Sequence, residues 1–284
     1  MSLVPRPPLD VTALREGLTG PNGPWRVVDV VENTGSTNAD LLARAAAGED
    51  IAGAVLLAEH QTAGRGRHGR HWSAPARSQL SLSVGVAADT VSTSGWGWLT
   101  LATGVAVADA VAEVSGLQVG LKWPNDVIAG PDKQGKLAGI LAEVAAPKQV
   151  IVVGIGLNVT MTAEEAPDPA AVSLAMLGAA VVDRNLWADK VLRHLATRVA
   201  AWRSAGGADD ALMSDYRRHS CTLGDQVRAD IPGGQRVEGV AEAIDDTGRL
   251  VINTGDGTRL RPTGGSARLD GVEAKLGPSN EGNG

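Results

Sequence analysis

The chain has 284 residues, 43% hydrophobic and 20% charged, enough to bury one large core with room for a small second one. Its formal net charge of -6 argues against a general nucleic-acid or membrane-surface binder, because those present net positive fields. No stretch reaches the roughly 18 uninterrupted apolar residues of a membrane span and no signal-peptide pattern opens the chain; the single cysteine, Cys221, can close no internal disulfide, which points to a reducing cytoplasm.

In chain order, Trp25 to Val31 reads as a strand, and Ser36 or Thr37 then caps a short helix over Ala39 to Ala47 that stops at Gly48. Gly53 to Glu59 is a compact apolar strand. Leu80, Leu82, Val84 and Val86 alternate with Ser81, Ser83 and Gly85, the period of two expected for a strand with one buried face. Trp96 to Val114 reads as an alanine-rich helix. Three strand-like pieces follow, around Val119 to Trp123, Leu137 to Val144 and Gln149 to Val159, with turn residues from Gly130 to Gly135 between the first two. From Asp183 the apolar residues Leu192, Leu195, Val199 and Trp202 recur at helical spacing until Gly206, and a shorter helix covers Ala211 to Arg218. Beyond Thr222 the chain breaks into short runs, Gln226 to Ile231, Arg236 to Ile244, Arg249 to Asn253 and Thr258 to Arg261, which suggest a small β-barrel. The tail from Ala274 to Gly284 is polar and glycine-rich, as disordered tails are.

Within this frame the segment Gly64 to Arg70, GRGRHGR, places three arginines and three glycines in seven residues. Gly64, Gly66 and Gly69 match the dinucleotide fingerprint literally, but that fingerprint needs a helix opening at the third glycine. Here Pro75 and a strand from Leu80 follow instead. A solvated charged loop is the plain alternative. Against it, His60 to Ala88 contains four arginines and no Asp, Glu or Lys, so the segment repels itself unless an anion is present. Guanidinium forks suit carboxylate and phosphate oxygens, and glycines let the backbone approach a ligand closely. An RNA-binding loop would bring stacking aromatics, whereas this chain has no phenylalanine and one tyrosine; a small anion fits better.

Four further clusters accompany the loop. KWPND, Lys122 to Asp126, sits at a strand end where Pro124 fixes the turn, so Lys122, Asn125 and Asp126 can converge; lysine neutralises phosphate and aspartate can hold Mg2+, unless Asp126 merely caps the turn. Lys136 precedes the apolar run Leu137 to Leu141. Gly154 to Asn158, GIGLN, is an apolar strand whose glycines mark either close approach of a ligand or a bulge. Gly35 to Asn38, GSTN, reads first as a helix cap whose hydroxyls and amide can also bind a neutral polar group.

Taken in order, GSTN, EHQTAGRGRHGRHW, KWPND, GKLAGILAE and GIGLNV, from Gly35 to Val159, resemble the biotin protein ligase family, in a version without a DNA-binding domain. The stretch before Gly35 is too short for the winged helix-turn-helix of members that double as repressors. The resemblance implies an α+β fold: a central mixed β-sheet flanked by helices, of the biotin/lipoate ligase kind, over residues 1–220, then an SH3-like C-terminal β-barrel over 221–272, ahead of a disordered tail at 273–284. It also implies a two-step reaction. Biotin and ATP give biotinyl-5'-adenylate and pyrophosphate, and the biotinyl group then passes to one lysine of a biotin carboxyl carrier domain of a biotin-dependent carboxylase.

By the same resemblance Ser36, Thr37, Asn38 and Gln61 contact biotin, Gly64, Arg65, Gly66 and Arg67 cover biotin and its adenylate, and Lys136 approaches the carboxylate and the α-phosphate. Trp72 packs near the adenine, Lys122 and Asn125 serve the nucleotide phosphates, Asp126 holds Mg2+, and Asn158 lies in the nucleotide site. Arg67, Lys136 and Asp126 then form the catalytic set. Asp126 or the adenylate phosphate takes the proton of the incoming lysine. His68, Arg70 and His71 receive no role. Because a mixed anhydride hydrolyses in water, Gly64 to His71 is expected to be a mobile lid. The rival readings are a lipoate or octanoate ligase on the same fold, and a non-catalytic RNA-binding or biotin-sensing protein. The expected partners are the carrier domain alone, with no nucleic acid and no membrane, for a monomer or weak homodimer in the cytoplasm.

Overall fold

The computed structural model describes residues 6–130, 135–146, 149–230, 236–256, 258–261 and 266–269. The tail expected to be disordered and the middle of the Gly130–Gly135 turn lie outside these residues. The first part of the chain runs α1 (Val11–Leu18), β1 (Val27–Thr34), α2 (Thr37–Ala46), β2 (Ala54–Gln61), β3 (Gln79–Ala87), α3 (Gly97–Ser115), β4 (Gly120–Lys122), β5 (Asp126–Ala129), β6 (Gly135–Ala145), β7 (Val150–Asn158), α4 (Arg184–Ala205) and α5 (Asp210–His219). Its seven strands form one mixed sheet in the order β1-β2-β3-β7-β6-β5-β4. The β1–β2 pair is parallel and every other neighbouring pair antiparallel.

One face of the sheet carries the main core. Leu80, Leu82, Val84 and Val86 of β3 and Ile151, Val153, Ile155 and Leu157 of β7 point into a cluster with α3 and α4. The spacing read from Leu192, Leu195, Val199 and Trp202 holds: all four are buried on α4, which Asp183 caps at one end and Gly206, at φ 69°, ends at the other. Alanine and Gly104 along α3 let this helix lie close, with Leu121 against Gly104. Residues 93–115 are apolar and long enough to cross a membrane by composition, yet two-thirds of that window is buried inside the protein.

The opposite face departs from expectation. Ser81, Ser83 and Gly85, read as the solvent side of β3, are buried; Ser83 bonds Thr37 and Asn38 of α2, and Gly85 lies against Ile51. α1 was not foreseen; Asp10 caps it through the Ala13 amide, and only Leu14 and Leu18 are buried, too few apolar positions to register as a helical period. β5 was not foreseen. KWPND ends β4 at Lys122, as expected, and turns the chain into β5 across a cis Trp123–Pro124 bond, with Lys122 paired to Asp126.

A second, five-stranded antiparallel sheet follows, β8 (Gln226–Asp230), β9 (Arg236–Ile244), β10 (Leu250–Asn253), β11 (Arg259–Leu260) and β12 (Ser266–Leu269), in the order β11-β10-β9-β8-β12. The β9–β10 turn is its contact with the large sheet. Trp98 Nε1 donates to Asp245 O and Trp123 Nε1 to Gly248 O, each at 3.0 Å, and a Cβ on Gly97 would stand 2.2 Å from Thr247 O.

A buried ion pair fastens the N-terminal segment to the body. Arg184 NH1 lies 2.6 Å from Glu59 Oε2, Glu59 Oε1 accepts from the Leu9 amide, and Arg184 NH2 donates to Pro7 O. Both side chains are almost fully buried, so each charge depends on the other. Arg184→Ala is expected to cost about 3 kcal/mol in urea unfolding by leaving the buried Glu59 with only the Leu9 amide and the more distant Arg77, 3.9 Å away; a loss under about 1 kcal/mol would mean that the pair holds nothing.

Candidate active site

The register of the large sheet assembles the floor of the site. Opposite one another across six strands stand Ala58, Ser81, Gly156, Gly139, Asp126 and Lys122, a row that is small for four positions and charged for the last two. Residues directly opposite in a ladder share a face, so the row makes a shallow trough ending on the KWPND hairpin. The Trp72 ring lies on this trough: a Cβ on Gly156 would come within 2.4 Å of Trp72 Nε1, and one on Gly139 within 3.1 Å of the ring. One step along, a Cβ on Gly154 would meet Asn38 Oδ1 at 2.3 Å. The glycines of GIGLN thus make room for the Asn38 and Trp72 side chains, and no bulge interrupts the strand. β7 pairs with β3 and β6 in unbroken register.

Over the trough opens a cavity of about 440 Å3. Its neutral end is built by the start of α2. Ser36 caps the helix through the Ala39 amide, Gln61 Oε1 accepts from the Thr37 amide at 2.9 Å and its hydroxyl at 3.1 Å, and Ser83 Oγ sits 2.7 Å from Thr37 Oγ1 and 2.6 Å from Asn38 Oδ1. The Asn38 amide donates to Glu143 Oε2 at 2.8 Å, and Glu143 Oε1 faces Arg65 at 3.8 Å. A continuous polar chain thus joins Gln61 to the arginine loop.

The other end is cationic. The loop closes on itself, Trp72 N donating to Gly64 O and Gly66 N to Arg70 O, with Arg65 bridged to His71. Lys136 Nζ lies 2.8 Å from Asp126 Oδ1 and 5.3 Å from the centre of the Trp72 ring, held by a carboxylate and a π-face together. Arg67, Arg70 and Lys122 also line the cavity, and their side chains make no hydrogen bond or ion pair among the described residues. Burial lowers the Arg67 pKa, with Asp126 opposing the shift and Arg70 adding to it. Arg77, counted with the loop on charge alone, belongs elsewhere: it pairs with Glu32 and leans toward Glu59.

All but one of the residues expected at the site line this cavity. The exception is Gly64. It is buried beneath the loop, where a Cβ would stand 2.3 Å from Trp72 O, so it shapes the loop rather than facing a ligand. Asn125 and Asn158 face the cavity but spend amide hydrogens on backbone carbonyls. Asn125 Nδ2 donates to Ile140 O at 2.9 Å and ties the hairpin turn to β6; Asn158 Nδ2 donates to Val172 O at 2.9 Å and holds the strap formed by residues 168–174. That strap crosses Lys136, whose amide donates to Ala170 O and whose carbonyl accepts from Val172 N. It brings Asp168, Ala170 and Ala171 to the cavity, none of them foreseen, because nothing between Val159 and Asp183 repeats or matches a motif.

Residues 31–159 match the biotin/lipoate A/B protein ligase family, and residues 222–269 match the biotin protein ligase C-terminal domain. The biotin-acetyl-CoA-carboxylase ligase of Mycobacterium tuberculosis is 54% identical over 267 residues, covering 93% of this chain and 97% of that one. This chain belongs to the biotin protein ligase family. The bifunctional ligase/repressor BirA of Escherichia coli is 30% identical over 84% of this chain and 72% of its own length. The biotin protein ligase of Aquifex aeolicus in complex with biotin and ATP superimposes with a TM-score of 0.73 over 86% of this chain and 100% of that one, at 24% identity, a likeness of fold. Within this biotin protein ligase the first family match encloses every expected cavity residue from Ser36 to Asn158.

The trough gives a direct test of packing. Gly156→Ala should displace the Trp72 ring, break the 2.7 Å bond from Trp72 Nε1 to Gln79 Oε1 and cost about 1–3 kcal/mol in urea unfolding; an unchanged midpoint would mean that the ring does not rest on the strand.

Proposed function

We propose that this chain is an ATP-dependent biotin protein ligase working at the cavity over the trough. The observation that carries the proposal is the polarity of the cavity: a network of hydroxyls and amides at one end and, at the other, arginines and lysines that outnumber the lining carboxylates Asp126 and Asp168. Biotin has the same polarity, a neutral ureido ring and a carboxylate. Ser36, Thr37, Asn38 and Gln61 hold the ring end. Arg65 and Gly66 cover the bound molecule, and Arg67 and Lys136 face its carboxylate.

The first half-reaction needs no enzyme nucleophile. A biotin carboxylate oxygen attacks the α-phosphorus of ATP, the bond to the bridging oxygen breaks, and pyrophosphate leaves with the electron pair. Two anions have to be brought together, so positioning and positive charge supply the catalysis. Lys136, fixed between Asp126 and Trp72, sits at the new anhydride. Arg67 acts in a partly desolvated setting where its charge counts for more. Lys122 serves the phosphates, Trp72 packs near the adenine, and Asn125 and Asn158 act as positioning residues for the hairpin and the strap.

Mg2+ suits the donor set. It takes one or two carboxylates together with phosphate oxygens, and Asp126 and Asp168 are the two carboxylates that line the cavity. Among the described residues no three His, Cys, Asp or Glu side chains are grouped to hold a metal by themselves. Asp126 would hold the ion beside the nucleotide, where it supplies charge neutralisation. The acceptor of the biotinyl group is a lysine of a biotin carboxyl carrier domain, the reaction takes place in the cytoplasm, and we divide the chain into its two bodies at residue 220.

Biotin-dependent exchange of pyrophosphate into ATP tests the function, with lipoate and octanoate as controls. Exchange with biotin alone is expected; exchange with lipoate or octanoate alone would contradict it. Lys136→Ala and Arg67→Ala should each slow exchange by about 10²–10³-fold with little change in thermal stability, since both side chains face the cavity rather than the core. An effect within about threefold would remove either residue from the reacting centre.

A further inference from the structure

A second cavity, about 420 Å3, adjoins the first where the β9–β10 turn of the small sheet meets the large one. Arg67, Trp123, Pro124, Ile140 and Leu141 line both, so the two chambers meet at the loop and the hairpin. Thr93, Ser94 and Thr100, around the start of α3, line the second chamber, as do Thr247 and Arg249 from the turn. Among the described residues it is therefore faced by two guanidinium-bearing residues and four hydroxyl-bearing ones, and by no Asp or Glu.

Arg249 is unusual among its neighbours. Arg228, Arg259 and Arg261 of the same sheet face Glu238, Glu242 and Asp245, whereas the Arg249 side chain makes no hydrogen bond or ion pair among the described residues. The turn that presents it is held firmly. Asp245 Oδ1 accepts from Thr247 N, Thr247 Oγ1 and Arg249 N at 2.9, 2.7 and 3.0 Å, and the indoles of Trp98, on α3, and Trp123, in the β4–β5 turn, grip it from the other side. A cation without a counter-charge, on a rigid support and beside a second such cation, is a receptor for a polyanion.

We propose that this chamber seats the β- and γ-phosphates of the nucleotide, and then the pyrophosphate that departs, with Arg249 as a phosphate-binding residue contributed by the small sheet. The assignment rests on the ligase function, which supplies the polyphosphate. When the bond between the α-phosphorus and its bridging oxygen breaks, that oxygen keeps the electron pair and the leaving pyrophosphate gains negative charge. Arg67 lines both chambers and so faces the group on either side of the bond that breaks. Arg249 meets the leaving group alone.

The test uses the full chain in biotin-dependent exchange with pyrophosphate as the varied substrate at fixed Mg2+. In Arg249→Ala the KM for pyrophosphate should rise about tenfold or more, with Arg249→Lys restoring part of the loss. The KM for biotin, and transfer from preformed biotinyl-adenylate to a carrier, should stay at wild-type values. Thr100→Val, across the chamber, should raise the pyrophosphate KM by about threefold and provides a second variant should the first misfold. An unchanged pyrophosphate KM in both, or a defect confined to transfer from the preformed adenylate, would overturn the assignment while leaving the ligase function standing. No exchange in the wild type would overturn the ligase function, and the chamber's role with it.

Discussion

Positive groups held together without counter-charge repel one another, and a fold that keeps them so must hold them by other means. In this chain of net charge -6, most described arginines elsewhere face carboxylates, as Arg6 faces Glu165 and Arg198 faces both Asp109 and Asp215, while Arg26 bonds backbone carbonyls. Around the two adjoining cavities the pattern reverses, and Arg67, Arg70, Lys122 and Arg249 carry no such partner among the described residues. The rest of the architecture can be understood as what keeps these charges close and their ligands oriented.

The sheet does this with a row of small residues. Ala58, Ser81, Gly156 and Gly139 leave a trough into which the Trp72 ring sinks, and the ring in turn supports the Lys136 ammonium. The same register row ends on Asp126 and Lys122, so the hairpin's charges arrive on the trough's own face. Contacts through Thr37, Ser83, Asn38 and Glu143 connect Gln61 at the neutral end to Arg65 on the loop.

Much of this was legible in the residues. The alternation in β3, the stripe on α4 and the glycine-punctuated runs of the small sheet gave elements within a few residues of those observed, because each buries a repeating apolar face. The motif residues converged because they sit at strand ends and on the start of α2. What stayed hidden is what lacks a period. β5 has four residues, β12 has four, and the 168–174 strap is held by backbone bonds to Lys136 and by Asn158 rather than by its own pattern. The burial of Ser81 and Ser83 was equally unreadable, since a polar face reads as solvent-exposed whether water or another polar layer covers it. Gly64 was placed with the loop glycines by resemblance, and its close approach to the Trp72 carbonyl could not be read from the sequence.

The central claim is that the loop from Gly64 to His71 carries cations whose missing counter-charge is the ligand. Amide hydrogen exchange of that segment, with and without biotin and ATP, tests it most directly. Three backbone bonds and one long contact from Arg65 to Glu143 hold the loop, while the Arg67 and Arg70 side chains carry no partner among the described residues, so exchange should slow markedly once both ligands are present and the anhydride forms. Equal exchange in the free and liganded protein would contradict it.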